Sequence, residues 1–403
     1  MTQSADWRTH HSGSILPALG RPQRLLVRGQ GARVWDETGK EYLDLLAGIA
    51  VNALGHAHPA LVEAVSDQVA TLGQVSNYFA SQPQIALAEK LLEVAAAPQG
   101  SAVYFCNSGA EANEAALKMS RRVAGGGRSK VVAVAGGFHG RTMGALAMTS
   151  KEAFRAPFAP GVPGVVHVPH GDIEALRREV DNTCAAVIIE PIQGEAGVRR
   201  HPAGYLRAAR EATRSAGALL ILDEVQTGIG RCGSWFAFQD PDLGEGIVPD
   251  IVTCAKGLGG GLPLGATLTF GDAVTGLLVP GQHGSTYSGN PVTTAAGLAV
   301  LTTIERAGLL PAVRGLGQEF AGRLRRIDGV AAVSGAGLFI ALELTAGNAK
   351  AVAEAALDAG FIVNPVTDTR LRIAPPLTIT EGELGEFLAA LPAILDTAGG
   401  TAA

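Results

Sequence analysis

The stretch ALLILDEVQTGIGR, residues 218–231, decides the architecture. Five apolar residues in a row end in two carboxylates, Asp223 and Glu224. A strand without polar alternation is one buried on both faces, the mark of a parallel sheet covered by helices on each side. Its C-terminal end is where open α/β sheets gather ligands. Successive strand side chains point to opposite faces, so one carboxylate faces a site and the other meets structure or solvent. The two are therefore not a shared acid pair.

Six more short apolar runs share this character, at 103–106, 131–135, 165–168, 186–189, 251–254 and 267–270. The segments between the runs up to residue 222 are long enough for crossovers, which predicts an α/β fold with a mostly parallel seven-stranded sheet. The last two runs are joined by little more than KGLGGGLPLG, too short a link for a parallel crossover. The seventh strand is therefore expected to be antiparallel.

On the N-terminal side, residues 25–46 read as a β-meander with Gly-Gln-Gly and Thr-Gly-Lys turns. Helices are expected after His58-Pro59, with Leu61, Ala64, Val65 and Val69 at helical spacing, and over 83–95. The first 25 or so residues show no period and read as a loosely held arm. On the C-terminal side a long helix over 291–307 precedes a changed pattern: helix 310–327, strands 331–333 and 338–344, helix 350–359, strands 361–364 and 371–373, and a last helix. Three units are expected: an arm and meander (1–48) packing with the small domain, a large domain (49–307) and a smaller α+β domain (308–403).

Composition narrows the function classes. Hydrophobic residues are 47% and charged residues 17% of the 403, too apolar for a disordered chain. With 32 basic against 37 acidic residues, no nucleic-acid partner is expected. No apolar run reaches the ~18 residues of a membrane-spanning helix, so no membrane partner is expected. The first twenty residues lack a basic start followed by an apolar stretch, so no secretory signal peptide is expected either. Cys106, Cys184, Cys232 and Cys254 share no close spacing and read as reduced core thiols, with a cytoplasmic setting and no metal expected. Lys is scarce, seven residues against 25 Arg, so a Lys inside an apolar segment carries weight.

Three motifs carry chemistry. SGAEANEAALKMSRR, residues 108–122, follows a strand and opens a helix, with Ser108 and Glu111 at capping-box spacing. A strand running into a helix N-terminus suits a phosphate, because free N–H groups and the positive dipole end point outward; alone, it is also an ordinary capped helix. PDIVTCAKGLGGGLPLGA, residues 249–266, sets Lys256 at the end of an apolar strand beside residues with almost no side chains. Desolvation lowers a lysine's proton affinity and makes it a nucleophile for Schiff-base chemistry. The apolar-Asp-Glu run at 223 and 224 also looks like a Walker B strand. Its partner motif G-x-x-x-x-G-K-[ST] is missing, the only Gly-Lys pair being Gly39-Lys40 in a hairpin. Weaker pieces are GGFHGRTMGALAMTS (136–150), EPIQGEAGV (190–198), HGSTYSGNP (283–291) and TRLRIAPP (369–376), each bland by itself.

In this order, from about residue 26 to 395, the segments resemble the class III pyridoxal-phosphate aminotransferases of fold type I. The resemblance implies pyridoxal 5′-phosphate as cofactor, held covalently by Lys256, which then shuttles a proton. It implies Asp223 against the pyridine nitrogen, Phe138 stacked on the ring, Gln226 near the phenolic oxygen, and Val225 among the cofactor contacts. Ser108, Gly109 and Ala110 would meet the phosphate. Thr286 and, on the substrate side, Ser285 would arrive from a second subunit of an obligate homodimer. Arg141 and Arg372 would each bind a carboxylate, and Glu195 would cover or release Arg372 as the two substrates alternate. The implied substrates are an amino acid and a 2-oxo acid: N2-acetylornithine donating its δ-amino group to 2-oxoglutarate in two half-reactions. Ornithine, succinylornithine, 4-aminobutyrate or a lysine-pathway amine is the alternative donor. GSTYSG departs from the common pattern in carrying Tyr287 and Ser288.

Overall fold

The computed structural model describes residues 7–123 and 127–400. Strands β1 (Leu26–Gln30), β2 (Arg33–Asp36) and β3 (Glu41–Asp44) form the expected antiparallel meander. The central sheet is built from β4 (Ala102–Cys106), β5 (Lys130–Val134), β6 (Val165–Val168) and β7 (Cys184–Ile189). A two-strand ribbon follows, β8 (Ile192–Gln193) with β9 (Arg199–Arg200), and then the central sheet resumes with β10 (Leu219–Asp223), β11 (Ile251–Cys254) and β12 (Gly265–Thr269). Its order is β4-β12-β11-β10-β7-β5-β6. The five strands from β11 to β6 are parallel. β12 is antiparallel to both its neighbours, so β4 runs with the other five.

β10 shows why the sheet is buried on both faces. Leu220 and Leu222 pack into one apolar cluster, whereas Leu219 and Ile221 pack into another. That alternation is the two-residue strand period with helices on either side. Burying each such side chain contributes about 1.5–3 kcal/mol.

β13 (Val330–Ala336) and β14 (Phe339–Leu344) open the C-terminal sheet. Residues 361–364, expected as one strand, divide instead between two sheets. β15 (Phe361–Ile362) pairs parallel with β3, and β16 (Asn364–Pro365) pairs antiparallel with β17 (Arg370–Ile373), which lies beside β14. The apolar run says only that this segment is buried, and two different sheet edges claim its halves. A second correction concerns the N-terminal arm, where Trp7–Ser14 forms a helix that buries none of its side chains. Trp7 Nε1 donates to Glu37 at 2.9 Å, a tie that no periodicity announces.

Among the described residues no single helix is long and apolar enough to cross a membrane. All four cysteines are free and buried.

Candidate active site

The C-terminal ends of β4, β10 and β11 converge on one edge of the sheet, and a cavity of about 470 Å³ opens there. Ser108, Gly109, Ala110, Phe138, Arg141, Asp223, Val225, Gln226 and Lys256 all line it. These nine come from four separate segments, brought together because parallel strands deliver their C-terminal loops to one edge.

Ser108 caps the helix Gly109–Ser120: its Oγ accepts from the Glu111 amide at 3.1 Å. The reciprocal bond of a capping box is absent. Glu111 instead accepts from the Asn107 amide (2.5 Å) and side chain (3.0 Å), since it reaches one residue further back. The helix N-terminus thus stays open towards the cavity at Gly109 and Ala110. A Cβ on Gly109 would stand 2.8 Å from Val225, so glycine is what lets the helix come this close.

Asp223 is buried, 3% exposed, and wired in place. Its Oδ1 accepts from the Val225 amide (3.0 Å), and its Oδ2 from Asn113 Nδ2 (2.7 Å). His139 Nδ1 lies 2.8 Å from the same Oδ2. Asn113 is itself satisfied by the His139 carbonyl (2.8 Å) and by Thr253, which donates to its Oδ1 at 2.7 Å. A buried carboxylate so braced is a fixed negative pole at the cavity wall. Glu224 faces away, accepting from Thr227 and from the amides of Ala237 and Phe238, and burial pushes its carboxyl up to about 7. Strand alternation thus separates the two acids as expected.

Lys256 follows β11 and adopts φ 45°, a left-handed conformation. Burial and the nearby Arg372 charge bring its amine down to about 8. Glu190, at the end of β7, accepts from the amides of Phe138 (2.8 Å) and Gly194 (3.2 Å), and burial pushes it up to about 7. Sequence reasoning singled out neither Asn113 nor Glu190, and it treated His139 as bland; their roles depend on partners 52 to 110 residues away.

The remaining expected residues lie outside the cavity wall. Arg372 is 2% exposed. Its Nη1 donates to Glu195 (2.7 Å) and Gln226 (3.1 Å), and its Nη2 to Asn364 (2.8 Å). Burial raises the Glu195 carboxyl, but Arg372's charge and hydrogen bonds outweigh it and hold the group below its usual range. Ser285 Oγ lies 3.5 Å from Asn107 Nδ2, at the cavity's margin. Thr286 is exposed and its carbonyl accepts from Gln74 at 2.6 Å.

The donor set fits a phosphorylated pyridine aldehyde: an open helix N-terminus for the phosphate, an aromatic ring beside the cavity, a braced carboxylate for a ring N–H, and an amine of lowered basicity for the aldehyde.

A family model described as Aminotransferase class-III matches residues 18–395. Acetylornithine aminotransferase of Streptomyces coelicolor is 54% identical over 392 residues, which cover 97% of this chain and 95% of the relative. That of Mycolicibacterium smegmatis is 54% identical over 400 residues, 99% of each chain. The crystal structure of the ornithine aminotransferase from Toxoplasma gondii matches with a TM-score of 0.90 at 30% identity, covering 98% of this chain and 95% of its own.

Proposed function

The chain belongs to the class-III aminotransferases, and from that premise we infer that it moves the δ-amino group of N2-acetyl-L-ornithine to 2-oxoglutarate. The products are N-acetyl-L-glutamate 5-semialdehyde and L-glutamate, a step of arginine biosynthesis. It is a pyridoxal-phosphate enzyme. The observation that carries the site assignment is the single cavity shared by Lys256, Asp223, Phe138 and the capped helix N-terminus.

When bound, pyridoxal phosphate supplies an aldehyde to carry the amino group and a ring to accept the electron pair left by a departing proton. The chain's own groups do the rest. Lys256, its amine part neutral near pH 8, would hold the cofactor through its aldehyde and would be the base for the proton on the substrate's amino-bearing carbon. Asp223 would keep the ring nitrogen protonated, and Asn113 and His139 keep Asp223 in place. Phe138 would cover a ring face, Val225 would pack against the cofactor, and Gln226 would serve its phenolic oxygen. Ser108, Gly109 and Ala110 would hold the phosphate. Arg141 receives one carboxylate. Arg372 receives another once Glu195 swings off it.

We read the enzyme as a cytoplasmic homodimer in which Ser285 and Thr286 enter the other subunit's site. Support comes from Tyr78, Phe79 and Tyr287, exposed by 92%, 69% and 59% on two loops that are tied together by Gln74 and Asn77. Large exposed apolar side chains of this kind mark an interface. Sedimentation at micromolar concentration tests the assembly, and a monomer would refute it. The substrate is tested by the bleaching of the visible band with a panel of amines. Acetylornithine is expected to react fastest; ornithine, succinylornithine or 4-aminobutyrate reacting faster would overturn the assignment.

A further inference from the structure

Arg141 lines the cavity, is exposed, and among the described residues makes no hydrogen bond or ion pair. Its Cζ instead lies 3.5 Å from the centroid of the Phe154 ring and 5.6 Å from that of Phe138. Phe154 belongs to the short helix Glu152–Arg155, which Arg155 ties to His167 Nδ1 of β6 at 3.4 Å. The Phe154 ring itself is half-buried.

A guanidinium kept by a carboxylate spends its N–H donors and its charge on that partner. One kept by an aromatic face is held through the ring quadrupole, with all its donors still free. We propose that Phe154 is a positioning residue for substrate: it sets the Arg141 guanidinium over its ring so that the donors present themselves, paired and unspent, to the carboxylate of the amino donor. This rests on the reading of Arg141 as a carboxylate-binding arginine.

Phe154→Leu removes the π face and keeps an apolar side chain. It is expected to raise KM for acetylornithine about 3- to 30-fold, the range of a cation–π contact, with kcat changed less than about twofold. Phe154→Tyr, which restores a ring face, should restore KM. The same weakening is expected in calorimetric binding of N-acetylglycine to the holoenzyme, a probe with a carboxylate and no transferable amine. Lys151, whose Nζ is 4.8 Å from the same ring centroid, tests for a general field: Lys151→Gln should leave probe binding within about twofold. Where Phe154→Leu fails to fold, Phe154→Met carries the test.

Unchanged KM and probe binding in Phe154→Leu, with both weakened in Arg141→Lys, would overturn the inference alone. Both variants unchanged would remove the reading of Arg141 beneath it. Failure of Phe154→Tyr to restore KM, or Lys151→Gln weakening the probe as much as Phe154→Leu, would also overturn it, by assigning the effect to packing or to net charge.

Discussion

Lys256 has an amine made less basic by what surrounds it. With its amine brought down to about 8, capture of pyridoxal phosphate by the apo-protein should accelerate as pH rises through about 8 and then level off, as stopped-flow absorbance would record. An unperturbed lysine would keep accelerating to about pH 10.4. Glu195 and Arg372 form the other tuned pair. Because Arg372 is also held by Gln226 and Asn364, Glu195→Ala should leave it in place with its charge uncovered. Glutamate should then gain on acetylornithine by about tenfold in half-reaction selectivity, equivalent to ~1.4 kcal/mol. No change in that ratio would reject the switch. At this scale Lys256 and Asp223 were legible because a charge ending an apolar strand is conspicuous. Asn113 was not: a polar residue inside a helix looks like solvated surface until the fold puts Asp223 against it.

Among the elements, β12 does more than close the sheet. Gly265 runs under the turn into the helix Gly109–Ser120, where a Cβ would stand 2.6 Å from the Ser108 carbonyl and 2.9 Å from Cys106 Sγ. Gly265→Ala must therefore move either the strand or the turn at Ser108. We expect a loss of about 1–3 kcal/mol in stability, as for an overpacked core, together with weaker cofactor retention on dialysis. A drop in melting temperature with unchanged retention would show that the strand yields and the turn does not. The seven strands and the reversal of the last were readable, since continuous apolar runs and a short link leave few alternatives. The split at residues 361–364 was not, because a run of apolar residues reports burial without naming the sheet that provides it. The helix Trp7–Ser14 escaped for the opposite reason, having no buried face to create a period.

For the molecule as a whole, the buried groups set the response to acid. His170, His201 and Tyr205 stack in one column, with centroids 4.5 and 4.7 Å apart, and His201 Nε2 lies 3.0 Å from the Glu190 carbonyl. Burial, reinforced by neighbouring positive charge, brings His201 down to about 3 and His170 to about 4. Unfolded histidines take up protons below about pH 6.5, so these two erode stability as pH falls towards those values. Glu190 and Glu224, raised to about 7, act in the opposite sense: their protons favour the folded state as pH falls from about 7 to the unfolded value near 4.3. The two effects oppose each other over the middle of the range, and the histidine loss prevails below it. His201→Gln, which keeps a donor for the Glu190 carbonyl, should flatten the acid limb by about one proton, ~1.4 kcal/mol per pH unit. Denaturant melts at pH 3.5 to 7 check this. The strand order has a different consequence, in time. β4 joins the rest of the central sheet only through β12, which follows it by some 160 residues, so during synthesis the turn at Ser108 emerges long before its neighbour exists. At roughly 5–20 residues per second it waits many seconds without a floor. The nascent chain therefore gains nothing from early ligand, and loading is expected to be a late, post-assembly event.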